Sequence, residues 1–132
     1  MRLDGFKDKA EAVAWLKRHK GCKTAKEAEK YLRAHLPKES YYQGKIIRFL
    51  NENYKTFAWK AAAGPYTQAG IPDVCAVIKG RYYGFEVKRP YIGVPSKIQI
   101  ETVRRIRAAG GVAEFVSSVS EVKEIIERSM RR

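Results

Sequence analysis

An acid, a second acid thirteen residues later and a lysine two residues beyond it stand at Asp73, Glu86 and Lys88. Between the acids run an apolar stretch, a Lys79-Gly80-Arg81 turn and an aromatic-rich stretch from Tyr82. That spacing suits a hairpin that sets an acid on one strand beside an acid and a lysine on its partner. Glu86 and Lys88 are two apart and share one face; Val87 points the other way, toward a core. Paired carboxylates suit a hard cation such as magnesium or manganese, and the Val87 carbonyl is a further candidate ligand. Such an ion makes water nucleophilic, neutralises a phosphate and stabilises a leaving oxygen. Lys88 is placed to hold or deprotonate the attacking water, and base work would require its pKa to fall. The chemistry indicated is metal-dependent phosphodiester hydrolysis. Taken singly, Asp73 also fits a turn residue after Pro72, and Glu86-Val87-Lys88 also fits a surface strand of alternating charge.

The flanking elements must bring these groups together. Pro72 cannot donate a ladder hydrogen bond, so it marks a strand entrance, and Gly70 allows a bend before it. The sequence predicts strands over 56–62, 74–78, 82–88 and 112–116. Residues 39–53 read as a helix with a buried stripe of Tyr42, Ile46, Phe49 and Leu50; Glu39 and Gln43 lie one turn apart on it. Ser96 opens a helix that Gly110-Gly111 ends, with Ile98, Val103 and Ile106 inward and Arg104, Arg105 and Arg107 outward. Ser120 is the expected cap of a last helix that buries Val122, Ile125 and Ile126. The strand–helix–strand step after Lys88 predicts a parallel pair reached by a right-handed crossover. The expected core is therefore α/β, in the order α-β-β-β-α-β, with a mixed four-stranded sheet between helices.

Ahead of this core, residues 1–37 read as a helical hairpin and 38–132 as the main domain. Helix one, over 6–20, carries Ala10, Val13, Ala14 and Leu16. Helix two has a capping-box pattern at Thr24 and Glu27, with Ala28, Tyr31, Leu32 and Leu36 on one face.

The chain has 132 residues and a net charge of +13. The hairpin carries +5, residues 38–112 carry +8 and the remainder is neutral. A positive field of that size favours a polyanion partner, with phosphate contacts that give affinity without sequence preference. Cys22 and Cys75 lie far apart with no C-x-x-C, which argues against structural zinc. No apolar run has the length of a membrane span. A protein of the bacterial or phage-infected cytoplasm is expected, with no membrane partner and no small-molecule cofactor beyond the metal.

The stretches GIPDVCAVIKGRYYGFEVKRP and SKIQIETVRRIRAAGG, with the helix from Glu39, resemble the VRR-Nuc family of the PD-(D/E)xK nuclease superfamily, over residues 39 to about 118. The acid-Glu-x-Lys signature is weak alone; the G-x-PD before it, the EVKRP and the Gln opening a helix that ends in Gly-Gly make it specific. The resemblance implies a restriction-endonuclease-like core. It implies metal-binding roles for Asp73, Glu86 and Glu39, a catalytic lysine at Lys88 and an active-site glutamine at Gln99. Gln99 is also placed to close a capping box with Ser96, and Glu39 to be a first-turn acid favoured by the helix dipole. Where many superfamily members carry a tyrosine four residues after the glutamine, this chain has Val103.

The resemblance further implies a DNA endonuclease acting on branched DNA, resolving Holliday junctions as a homodimer, with flap or other branched-DNA cleavage as the alternative. A non-catalytic DNA-binding module of the same fold would be expected to lack an acid or the lysine, and all three are present. Lys60, Tyr66, Gln68, Arg89, Lys97, Arg104 and Arg105 are the candidate DNA contacts.

Overall fold

The computed structural model describes residues 2–62 and 69–131. Helix α1 (Lys9–His19) begins where the Asp8 carboxylate accepts the Glu11 N–H. Helix α2 (Ala25–His35) begins where the Thr24 hydroxyl accepts the Glu27 N–H. Both are N-caps that satisfy an otherwise orphaned donor. The returning half of the expected box is shifted: Glu27 accepts from the Lys23 N–H, not from Thr24. The pair buries Ala12 and Leu16 against Ala28, Leu32 and Leu36. Ala10 is exposed: α1 begins at Lys9, three residues later than expected, and Ala10 lies off the Ala12–Leu16 stripe that meets α2.

Helix α3 (Glu39–Asn53) occupies the expected residues, with Tyr42, Gln43, Ile46 and Leu50 buried and Phe49 only partly so. Strands β1 (Thr56–Lys60), β2 (Val74–Ile78), β3 (Arg81–Val87) and β4 (Val112–Val116) form one sheet in that order. The first two pairings are antiparallel and β3–β4 is parallel. Helix α4 (Lys97–Ala108) makes the crossover between the parallel strands, and α5 (Val119–Met130) closes the chain. The expected α/β order and mixed four-stranded sheet are therefore present.

Side-chain alternation divides the sheet. Ala58, Val74, Ala76, Ile78, Tyr83, Phe85, Val87 and Val116 face α3 and α5 in the main core. Each large aliphatic side chain buried there contributes about 1.5–3 kcal/mol, so this face anchors the sheet. Cys75, Tyr82, Gly84 and Glu86 alternate to the other face, where α4 lies.

Two sequence expectations need correction. Ile98 is 50% exposed, while Thr102 and Val103 are buried. The sheet-facing stripe of α4 is Gln99, Thr102, Val103 and Ile106, the i, i+3, i+4, i+7 spacing, and Ile98 lies one residue off it. The cap of α5 is Ser118, whose hydroxyl accepts the Glu121 N–H, rather than Ser120.

The hairpin is joined to the end of β3. Ile92 enters the hairpin's apolar cluster, with Tyr91 packed beside it. The Tyr91 hydroxyl accepts the Phe6 N–H and donates to the Phe6 carbonyl, both at 2.8 Å. The segment that follows Lys88 thus links the hairpin to the main domain.

Candidate active site

β2 begins at Val74, so Asp73 stands just before it and would extend the antiparallel register to face Glu86. Backbone groups of successive strand residues face opposite edges. The Lys88 N–H donates to the Val116 carbonyl at 2.8 Å, toward β4. The Val87 N–H and carbonyl therefore face the β2 side. There the N–H donates to Asp73 Oδ2 at 3.0 Å, a bond that orients the carboxylate beside Glu86. The Asp73 carbonyl accepts the Ala61 N–H at 2.8 Å, which ties the strip after β1 to the same point.

Pro72 sits over Gly84. A Cβ at Gly84 would lie 2.8 Å from Pro72 Cγ and 2.9 Å from the Tyr82 hydroxyl. Gly70 is at φ +82°, and a Cβ there would lie 2.9 Å from the Ile98 carbonyl. Bare backbone at these two points lets the Asp73 turn settle between β3 and α4. Gly84→Ala is expected to destabilise the protein by about 1–3 kcal/mol, read from the denaturant midpoint at unchanged m-value.

Glu86 is 1% exposed. Its Oε1 accepts from Gln99 Nε2 at 3.1 Å, and its Oε2 has no partner among the described residues. Burial pushes its pKa up to about 8, helped by the Asp73 carboxylate and, more weakly, by Glu39; Lys88 opposes the shift. Two carboxylates cannot donate to one another. A proton on Glu86 gives Oε2 a hydrogen to donate toward Asp73, which is why the pair favours holding one.

Gln99 does two jobs. Its Oε1 accepts the Ser96 N–H at 2.9 Å while its Nε2 reaches Glu86. The Ser96 hydroxyl accepts the Gln99 N–H, so the capping box is complete. The capping and active-site readings of this residue are one geometry: the box fixes the amide so that its donor points at Glu86. Lys88 is half-buried just beyond β3, on the Glu86 side.

One neighbour of Lys88 was not singled out by the sequence. A Cβ at Gly93 would lie 2.6 Å from Lys88 Cβ, so the loop there closes directly over the lysine stem. Gln43, which shares a helix face with Glu39 and is the next candidate there, is 7% exposed and its Oε1 has no partner among the described residues.

These groups fit a divalent cation in part. A buried carboxylate oxygen without a donor, beside a second carboxylate, is an environment that a cation or a proton relieves. Among the described residues, however, no three His, Cys, Asp or Glu side chains converge into a ready cage. Glu39 is near enough to influence Glu86 but does not close the set. Two carboxylates, a carbonyl and retained waters suit magnesium, which dehydrates reluctantly.

No family model and no curated protein matches the sequence. A solved structure described as "VRR_NUC domain" does match the fold, with a TM-score of 0.52 over 65% of this chain and 95% of that one, at 22% identity. The chain has the VRR_NUC fold.

On this VRR_NUC fold the candidate DNA contacts have different fates. Lys60, Lys97 and Arg105 are exposed. Arg104 is exposed but paired with Glu101, Nε to Oε2 at 2.9 Å. Tyr66 and Gln68 lie outside the described residues. Arg89 is engaged within the fold. Its guanidinium donates to the carbonyls of Leu32, Arg33, Leu36 and Pro37 at 2.9–3.3 Å, at the C-terminal end of α2. A cation at a helix C-terminus satisfies orphaned carbonyls and complements the dipole, so Arg89 ties the hairpin to β3. A cavity of about 710 Å³ is lined by Asp4, Tyr42, Lys45 and Ser118, away from Asp73 and Glu86. Among the described residues, no helix is long and apolar enough to cross a membrane.

Proposed function

We propose that the chain is a magnesium- or manganese-dependent DNA endonuclease of the VRR-Nuc family. The observation that carries this reading is Glu86: a carboxylate buried beside Asp73, held by Gln99 and with one oxygen unpartnered among the described residues. The fold and the net charge of +13 support it.

Asp73, Glu86 and the Val87 carbonyl would hold the ion, with Glu39 the further candidate ligand. Bound there, a divalent cation supplies a water of lowered pKa and a counter-charge for the phosphate. The chain's own residues do the rest. Asp73, tied to the Val87 N–H, keeps the two strand ends in register. Gln99 keeps Glu86 Oε1 turned toward α4. Lys88, on the Glu86 side, is placed to orient the attacking water. Lys60, Lys97 and Arg105 neutralise flanking phosphates. The substrate in this reading is branched DNA. A homodimer sets two such sites against two strands of a four-way junction.

The test is cleavage of a labelled four-way junction, a flap and a plain duplex, with magnesium, manganese or chelator. Cutting that survives chelation, or survives Asp73→Ala, overturns the metal-nuclease reading. Equal cutting of plain duplex overturns the branched-substrate reading alone. Gln99→Ala is expected to lower cleavage at limiting metal by about 10–100-fold, since residues that orient a ligand contribute on that scale. A titration of rate against metal concentration reads this as a shift of the midpoint.

A further inference from the structure

Phe57 and Trp59 project from the same face of β1, with ring centroids 5.4 Å apart. This is the face opposite Ala58, which is in the core. Phe57 is 71% exposed and Trp59 37%. Val77, the register partner of Phe57, is exposed beside them. Helix α4 packs over β4 and the Glu86 end of β3, and it leaves this part of the sheet open. Isolated exposed apolar residues are ordinary, but a contiguous aromatic patch is a contact surface.

Its position and charge identify the partner. Trp59 pairs with Cys75, two residues from Asp73, or about 7 Å along the strand. That is on the order of one nucleotide of backbone. The patch is flanked by Lys55 and Lys79, both exposed. Neither has an ion-pair partner among the described residues. A two-fold contact between copies would bring the same two lysines of each chain together. A nucleic acid instead offers phosphates to the lysines and π-faces to the rings. In a duplex those faces are covered by neighbouring base pairs; in a single-stranded arm they are free.

We propose that Phe57 and Trp59 form a stacking platform for unpaired nucleobases next to the scissile phosphate. This surface would give the enzyme its preference for DNA with a single-stranded arm. The inference rests on the DNA-nuclease reading above and names the part of the substrate that reading leaves open.

The experiment measures binding in chelator, where no metal-dependent cleavage intervenes. The probes are a duplex with an unpaired arm carrying 2-aminopurine and a blunt duplex of equal length. Phe57→Ala and Trp59→Ala are each expected to weaken binding of the armed probe about tenfold and to leave the blunt probe unchanged. Trp59→Phe should retain most of the affinity. Thermal unfolding confirms that each variant is folded. Equal loss on both probes, or no loss on the armed one, overturns the platform. So does a native dimer that Trp59→Ala converts to monomer in sedimentation, since the patch would then be a protein interface. The two readings fail separately. Discrimination between probes without cleavage under any divalent ion would leave the platform standing and remove the nuclease; metal-dependent cleavage with unaltered binding would do the reverse.

Discussion

Glu86→Gln is expected to stabilise the metal-free protein at pH 8 and to lower metal-dependent cleavage by more than about 100-fold. The two effects have one cause. In the wild type, burial and Asp73 hold the Glu86 pKa near 8, far above the ordinary 4.5. The folded state therefore binds a proton more tightly than the unfolded chain. Between about pH 4.5 and 8 it carries more protons, so stability must fall as pH rises. The contribution is fully present below about 4.5 and is lost as pH passes through about 8, with a ceiling of about 5 kcal/mol for a gap of this size. The amide of the variant imitates the protonated acid. It keeps an oxygen for Gln99 and gains an N–H for Asp73, and it does not titrate.

The measurement is Tm against pH in chelator. The wild type should slope downward from pH 5 to 8 and the variant should be flat, with the curves meeting at the acid end. Divalent cation should then raise the wild-type Tm more at pH 8 than at pH 6, since ligands bind metal only when deprotonated. The variant should show little of this rise. Parallel pH curves would mean that Glu86 is not the titrating group. The cleavage loss follows from losing a ligand itself, because residues that merely orient a ligand already contribute 10–100-fold.

The parts of the site legible in sequence are those set by strand period and turn chemistry. Asp73, Glu86, Val87 and Lys88 lie on a hairpin whose register follows from its turn, so their faces could be assigned from spacing. Gln99 was pointed to by the family resemblance, while its spacing from Ser96 indicated a capping box; both contacts are present. Ile98 was misassigned because an amphipathic helix read alone does not say which of two adjacent apolar stripes meets the sheet; the contact of its N-terminal turn with Gly70 and Glu86 decides that. Gly93 was not recognised because its significance lies in what it touches, the Lys88 stem. The Arg89 tie was not recognised for the same reason. A positive charge beside an active-site lysine suggests DNA, and only the tertiary approach of α2 reveals four carbonyls waiting for it.

Arg89→Ala is expected to destabilise the protein by about 2–4 kcal/mol, mostly by releasing the hairpin. Hydrogen bonds to a charged donor contribute about 1.5–3 kcal/mol each when buried, and these four share one half-buried guanidinium, so the sum falls well short of four times that. Arg89→Lys should recover only part of the loss, because an ammonium lacks the planar fork that reaches separated carbonyls. Amide exchange separates this tie from a generic core defect. The α2 amides and those of Phe6 and Ile92 should lose protection first, since they belong to the hairpin's own apolar cluster, while β2 and β3, packed in the main core, should hold theirs. Uniform loss of protection would mean that the hairpin and sheet unfold as one unit. If Arg89 instead met phosphate, the alanine variant would keep its stability and lose DNA affinity with a shallower salt dependence. Because Arg89 adjoins Lys88 directly, freeing the hairpin should also loosen the loop that closes over the lysine. Cleavage should then fall in kcat while the metal midpoint stays fixed, the opposite of the pattern expected for Gln99→Ala.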